Sequence, residues 1–484
     1  MLALFALAAT GCGSSGHGGH GTRALAEWPL PNHDLASTRS LPASGIDRSN
    51  VHGLHVVWRF PIRNALTPDS GAFTSIPVVS GGVVYLQDMK SNVFALDLTT
   101  GALRWRHLFH ASNPGPNGLA VANGVVYGAT DESAFALDAK TGRQLWRTVL
   151  VTATARYIDI APQVANGFVY LATIGEPPNG RGVIYGLDAK TGAVRWHLDT
   201  IKGRWAHPFL AGGGGSWYAP SVGGTRVYWG IANPLPWGGS PAFPNGGAYA
   251  GLALYTNSLL VTDGATGRLL WYDQVTPHDV RDHDFQLPPI LGSVGATPAV
   301  FGSGKGGIVI AWNRATQRRL WQTRVGIHRN DSGPLPRRLV SVCPGLLGGV
   351  LTPMAYAEGK LFVPVVDLCM RGSATGYEPL ENVNVGARGR GELVALDATT
   401  GARVWRRRLP QPIFSCATVA NGVVFTGTFD GTLYALDTSD GTVLWRARLR
   451  AGLNACPALA GGKLIVGAGL PRRGGVLEVV AYGT

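Results

Sequence analysis

The stretch ALDLTTGALRW at residues 95–105 decides the architecture, because it recurs down the chain. It returns as ALDAKTGRQLW at 136–146, GLDAKTGAVRW at 186–196, VTDGATGRLLW at 261–271, ALDATTGARVW at 395–405 and ALDTSDGTVLW at 435–445, with a worn copy, AWNRATQRRLW, at 311–321. Self-similarity at such an interval marks a repeat architecture. Apolar alternation before the Asp, as in VVYLQ at 83–87 and NVFALD at 92–97, has the period of a half-buried strand. Asp and Thr bond their own backbone in turns, and Gly takes the positive φ of a tight reversal. The Trp then opens another strand. Each unit therefore reads as a meander of short antiparallel strands.

One meander cannot bury both of its faces, whereas units set radially about an axis can. Trp105, Trp146, Trp196, Trp271, Trp321, Trp405 and Trp445 mark seven units, and Trp58 in NVHGLHVVWRF reads as an eighth last strand lacking its turn phrase. The apolar runs in 456–483 supply partners for that first strand. The expectation is an all-β chain: an eight-bladed propeller of four-stranded antiparallel blades over residues 45–484, closed by N- and C-terminal strands so that no edge is exposed. The Trp residues read as packing between blades. Two Trp spacings are long, 75 residues from Trp196 to Trp271 and 84 from Trp321 to Trp405. Insertions in a repeat array map to loops, often on the binding face.

Among 484 residues there are 68 Gly, only 15% are charged, and the net charge is +13, as suits many turns and much buried strand. The Arg residues are scattered, and no nucleic-acid motif occurs. Residues 1–12, MLALFALAATGC, join a short apolar run to a box that resembles a bacterial lipoprotein cleavage site, which makes Cys12 the expected lipid anchor. GSSGHGGHG opens the segment 13–44, which reads as a flexible tether. The expected location is exported, in the cell envelope on that anchor or free outside the cytoplasm, with contact to the membrane through the anchor alone. Cys343, Cys369, Cys416 and Cys456 remain, an even number that fits an oxidising compartment with three pairings open. Cys343 with Cys369 would close the long insertion, while Cys416 and Cys456 sit at similar points of successive blades. No CxxCH occurs for covalent haem.

Residues 205–290 are the densest in unusual side chains. Asp279, Asp282 and Asp284 fall within seven residues together with His278 and His283, just after a blade's Trp strand. Such carboxylates suit a cation site or a general base, and equally a solvated loop. GIANPLPW at 230–237 and YTNSLLVTDGATGRLLWYDQVTPHDVRDHD at 255–284 make this region resemble the pyrroloquinoline quinone (PQQ) dependent alcohol and methanol dehydrogenases, which are eight-bladed propellers. The resemblance covers nearly all of the chain after residue 45. It implies Asn233, Asp282 and Glu176, the last in IGEPPNGRG, as the residues at Ca²⁺. It implies Asp282 as the base that takes an alcohol proton beside the metal, Trp217 in GGGGSW as the floor under the quinone ring, and Lys305 in GSGKGG as a bond to the quinone. PQQ would then be the redox cofactor, a small alcohol or related hydroxyl compound the substrate, and a separate molecule the electron acceptor.

The chain departs from that family at the cofactor. Residues 110–120 lack the family's adjacent Cys pair, and Arg281 replaces a Trp. Asn117 stands for an Arg, Thr74 for a Glu, Asp159 for a Thr, and Val350-Leu351 for an Asn-Trp pair. Each lost charge-assisted bond is worth about 1.5–3 kcal/mol. The alternative function is therefore a propeller lipoprotein of the same ancestry without redox activity, an envelope scaffold or ligand-binding module. A bland role stands beside each site residue: Trp217 as packing, Asn233 as an Asx turn, Glu176 and Lys305 as loop charges, Asp282 as one of a solvated trio.

Overall fold

The computed structural model describes residues 26–62, 73–113, 115–153, 155–175, 180–202, 212–246, 253–470 and 475–484. Among them are eight four-stranded antiparallel sheets. Seven are meanders running in chain order, spanning 78–107, 120–149, 163–199, 221–274, 290–324, 355–409 and 418–448, here blades 1 to 7. Blade 8 takes Ala458–Ala460, Lys463–Ala468 and Glu478–Gly483 from the C-terminal end, and His55–Pro61 pairs antiparallel with the last of these as its outer strand. The expected joining of the two ends in one sheet is what the topology has.

The repeated phrase explains the seams between blades. The Asp97 carboxylate accepts from the amides of Thr99 and Thr100 and from the Thr100 hydroxyl, closing the turn, and the same pattern recurs at Asp138, Asp188, Asp263 and Asp397. A register shift between Ala95 and Leu96 lets Trp105 pair with Ala95 while Leu103 pairs with Leu96. The indole of Trp105 then donates to the Ala139 carbonyl of blade 2 at 3.0 Å and lies on the turn glycine, where a Cβ on Gly142 would sit 2.5 Å from the ring. So the glycine serves two needs: its φ is +71°, and the neighbouring tryptophan occupies its side-chain space. Trp58 closes the ring in the same way, donating to Leu98 of blade 1. Each docked indole combines burial of a large apolar ring, roughly 2–3 kcal/mol, with a hydrogen bond of about 1 kcal/mol.

Middle strands such as Val83–Gln87 are buried along their whole length, because blades pack face to face. Outer strands such as Leu103–His107 alternate between exposed and half-buried.

Residues 26–44, expected as part of a flexible tether, are instead a packed strap. The strap crosses one end of the ring and exchanges backbone hydrogen bonds with the inner-strand ends of seven blades, at Val79, Val121, Val222, Leu291, Tyr356, Val419 and Gly462. Trp28 and Arg39 are wholly buried in it. The Arg39 guanidinium donates to the carbonyls of Pro31, Ala417 and Pro457, to Asn32 Oδ1 and to Thr418 Oγ1, and burial pushes its pKa down to about 9. These apolar and hydrogen-bonding side chains overcome the segment's polar composition, which is all that a tether reading uses. Residues 1–25, with Cys12 and the expected anchor, lie outside the described residues.

Both disulfides form, Cys343–Cys369 in the long insertion and Cys416–Cys456 between blades 7 and 8.

Candidate functional site

The two long Trp spacings meet on one face of the ring. Residues 200–257, within the first, carry a two-stranded ribbon of Gly212–Gly213 and Pro234–Leu235. The second carries a three-stranded sheet of Val340–Val342, Met370–Ser373 and Gly376–Tyr377, held by the Cys343–Cys369 bridge. Between them lies the loop 278–284, joining the outer strand of blade 4 to blade 5.

That loop is built by Asp279. Its Oδ1 accepts from the Arg281 amide at 2.8 Å, and its Oδ2 accepts from the His283 amide at 2.7 Å and from Asn257 Nδ2 at 3.2 Å. Arg281 is buried and donates to three carbonyls of the long insertion, those of Asn330, Ser332 and Gly333, at 2.6–3.0 Å. His283 points inward toward the Pro344 carbonyl, and burial holds its pKa below the usual imidazole value. With both flanks pinned, Asp282 takes a left-handed backbone, φ 63°, a conformation costing of order 1 kcal/mol that persists only where its surroundings impose it.

Asp282 is the centre of a four-residue network. Its Oδ1 accepts from Asn233 Nδ2 at 2.6 Å and its Oδ2 from Lys305 Nζ at 2.8 Å. Lys305 also meets Asp284 at 2.5 Å, and Asp284 Oδ1 accepts from the Asn233 amide at 2.7 Å. Burial, reinforced by Asp284 and Asp279 and opposed by Lys305, pushes the Asp282 pKa up to about 8. Burial alone would lower the Lys305 pKa, but the two carboxylates outweigh it and hold it above its ordinary value. Asn233 is positioned by the glycine ribbon: Gly213 has φ +93°, and a Cβ there would lie 2.4 Å from the Asn233 carbonyl oxygen.

Of the residues expected at a cofactor, the structure brings Asn233, Asp282 and Lys305 together. Trp217, half-buried, follows the same ribbon, and its indole N–H is buried with no hydrogen-bond partner. Glu176 lies outside the described residues. Asp284 was visible only as one of three neighbouring carboxylates, yet it shares the ammonium with Asp282. The spacing of one residue was the available signal, and burial of 99% separates Asp284 from a solvated loop. Two carboxylates and an amide are hard donors of the kind that hold Ca²⁺ or a lanthanide ion. Lys305 supplies the positive charge between them in this structure. Among the described residues no three His, Cys, Asp or Glu side chains form a metal-ligating cluster.

Along the axis, between these loops and the strap, runs a cavity of about 100 Å³. Thr74 and Asn117, the neutral replacements found in the sequence, line it, with Asn32 of the strap, Tyr218, Thr352 and Cys456. Tyr218 links cavity and network: its hydroxyl donates to the Leu351 carbonyl at 3.1 Å, and its pKa is raised by burial, with Arg39 and Lys305 lowering it and Asp159 raising it further. The strap's contribution to this lining was not legible, because nothing in local composition aims Asn32 at the axis.

The family model described as outer membrane protein assembly factor BamB, built on PQQ repeats, matches residues 53–198, 111–342 and 372–481. Quinohemoprotein alcohol dehydrogenase ADH IIB of Pseudomonas putida is 30% identical over 290 residues, which cover 53% of this chain and 40% of that protein. The match thus spans less than half of that relative. The lanthanide-dependent methanol dehydrogenase of Methylacidiphilum fumariolicum (strain SolV) is 26% identical over 486 residues, 84% of this chain and 77% of that protein. Among solved structures, quinohemoprotein alcohol dehydrogenase ADHIIG from Pseudomonas putida HK5 superposes with a TM-score of 0.82 at 21% identity, covering 95% of this chain and 80% of that one, a likeness of fold.

Proposed function

This chain belongs to the PQQ-repeat propeller family, and from that premise we propose that it is an exported quinoprotein oxidoreductase acting on an alcohol or other small hydroxyl compound. The observation that carries the reading is the convergence of Asn233, Asp282, Asp284 and Lys305 in one buried network beside the ribbon that Trp217 follows in the chain. These residues fit a quinone with its cation. The donor set is hard, with two carboxylates and an amide in one buried cluster. Asn233 and Asp282, with Glu176, would hold Ca²⁺, while Trp217 and Lys305 would hold PQQ. The bound group supplies a two-electron acceptor polarised by its metal.

The chain's own residues do the rest. Asp282 accepts the substrate's hydroxyl proton at a carboxylate oxygen in its ionised form, which a cation held beside it would favour against the burial that raises its pKa. Asn233 and Lys305 hold that carboxylate in place, and Arg281 and Asp279 hold its loop. Electrons leave to a separate acceptor. The two disulfides support an oxidising compartment, and the lipid anchor at Cys12 belongs to the same proposal.

Reconstitution tests this. The purified protein is mixed with PQQ and Ca²⁺, and in parallel with PQQ and La³⁺. The expected outcome is bound-quinone absorbance and alcohol-dependent reduction of an artificial acceptor dye. Folded protein that yields neither with either ion overturns the enzyme reading. One observation favours a second reading, an envelope scaffold without redox activity: among the described residues no charged side chain lines the axial cavity. That reading requires the negative result.

A further inference from the structure

One side chain of the long insertion touches both segments that meet at the Asp282 network. Tyr377 stands on the short strand Gly376–Tyr377 of the three-stranded sheet. Its hydroxyl donates to the Val280 carbonyl at 3.2 Å, inside the loop that carries Asp282. Its ring meets Trp237 edge-on, with centroids 5.3 Å apart and planes at 73°. Trp237 closes the segment 233–237, which begins with Asn233. Asn233 and Asp282, bonded at 2.6 Å, therefore come from two segments that Tyr377 joins a few residues away. Burial raises the Tyr377 pKa above its usual value; Arg281 opposes this, and Asp279 and Asp282 add to it. The hydroxyl thus lies within electrostatic reach of the Asp282 carboxylate.

The sheet makes room for that ring. Gly372 pairs with Tyr377 across the strands, and a Cβ on Gly372 would lie 2.6 Å from the tyrosine ring. Glycine there leaves the space that the ring fills. The Cys343–Cys369 bridge flanks the pair Val342 and Met370 and staples the same sheet. A phenylalanine would fill the space equally well. The hydroxyl adds one directed bond, and that bond goes to the loop of Asp282. Arg281 and His283 reach from the loop into the insertion, whereas Tyr377 reaches from the insertion into the loop.

We propose that Tyr377 is a positioning residue for this site: it fixes the loop 278–284 against the segment 233–237 and so sets the spacing of the Asp282 carboxylate and the Asn233 amide. This rests on the reading of that network as a cation place. The hydrogen bond restrains Val280, two residues before Asp282, and the ring contact restrains the other segment. Without the hydroxyl, one of the restraints that impose the left-handed backbone of Asp282 is gone.

Two changes test it on the whole protein. Tyr377→Phe removes the hydroxyl and keeps the ring. Gly372→Ala displaces the ring from the side away from the site. Hydrogen exchange at the Arg281 and His283 amides needs neither metal nor quinone. It should quicken on the order of tenfold in both variants, the scale of one hydrogen bond. Tryptophan-sensitised Tb³⁺ luminescence reads cation affinity, which should weaken about tenfold. In the enzyme reconstituted with PQQ and Ca²⁺, kcat should fall roughly tenfold to a hundredfold with KM nearly unchanged. A merely structural tyrosine would lower the thermal midpoint and leave Tb³⁺ affinity of the folded protein as it is. The two sites should also couple: in a Tyr377→Leu background, Gly372→Ala should add nothing to the exchange rate, since no ring remains to displace. Loop exchange in Tyr377→Phe equal to that of the unaltered protein, unchanged Tb³⁺ affinity, or additive effects of the two sites would overturn the proposal. A failure of the underlying reading shows differently: the unaltered protein would bind no Tb³⁺, and exchange alone would decide whether Tyr377 holds the loop.

Discussion

Six seams of the ring are alike, and the seam between blades 4 and 5 is not. In the six, Trp58, Trp105, Trp146, Trp196, Trp321 and Trp405 lie on a turn glycine of the next blade and donate to a carbonyl there at 2.8–3.1 Å. Between blades 7 and 8 Trp445 keeps the hydrogen bond, to Leu54, without the phrase. Between blades 4 and 5 the turn is the worn copy. Gln317, φ 63°, replaces the glycine, and the Trp271 indole N–H has no hydrogen-bond partner. Polar contacts span that seam instead: Trp312 and Arg319 both donate to Asp273, and Arg314 Nε donates to the Tyr228 hydroxyl at 3.2 Å. The loop 278–284 leaves from this same seam. Repetition optimises packing and treats every position alike, whereas a site needs one position unlike the others. The chain has relaxed its repeat where the candidate site stands.

The contrast can be broken at its functional side first. Asp282→Asn should lower turnover of the reconstituted enzyme by about 10³-fold, within the range of general-base loss, while bound-quinone absorbance persists. Unchanged turnover would remove Asp282 from the role of base. Next comes Lys305→Met, which leaves the buried Asp282 and Asp284 carboxylates without their cation. Urea unfolding should show a loss of about 3–5 kcal/mol, and millimolar Ca²⁺ or La³⁺ should restore part of it. A loss that neither ion relieves would count against a cation place at this network.

The structural side can be broken and then sharpened. Gly142→Gln copies the worn turn into a regular seam. Its side chain would displace the Trp105 indole, and the expected loss is about 3 kcal/mol, the scale of removing a buried aromatic. The reverse change, Gln317→Gly, should gain about 1 kcal/mol by relieving a left-handed residue. If both changes leave the thermal midpoint unmoved, glycine docking does not set seam strength.

The smallest effect is acid sensitivity. The carboxyl of Asp188, bonded by Arg195 and Thr191, is pulled down to about 2 from an ordinary 3.8. A depressed carboxylate contributes stability that is fully present above the unfolded value and is lost as pH falls through the folded one. Asp188→Asn should therefore flatten the fall in unfolding midpoint between about pH 4 and pH 2. The blade 5 turn already carries Asn313 at that position, and Asn313→Ala should leave the slope in that window as it is.

Much of the ring was legible because its rule is local. Turn chemistry, strand period and the position of Trp all lie within eleven residues, so reading one phrase seven times yields the blades. Asn233, Asp282 and Lys305 were expected at one site through a resemblance in residue order, and the structure joins the three side chains in one network. The strap was misread, since Gly- and Ser-rich composition near the start says nothing of Trp28 and Arg39, whose burial depends on partners nearly four hundred residues away. Asp284 was seen but not assigned, because burial decides whether a carboxylate is solvated or structural.

Short-range chemistry thus set the number of blades, the closing of the ring by both ends and the seams that hold it. Long-range packing settled how the four cysteines pair, which carboxylates share an ammonium, and which side chains line the axis. The physical reason is the reach of the forces. A turn or a strand is stabilised by neighbours along the chain, while the charge and burial of a side chain depend on everything that folds against it.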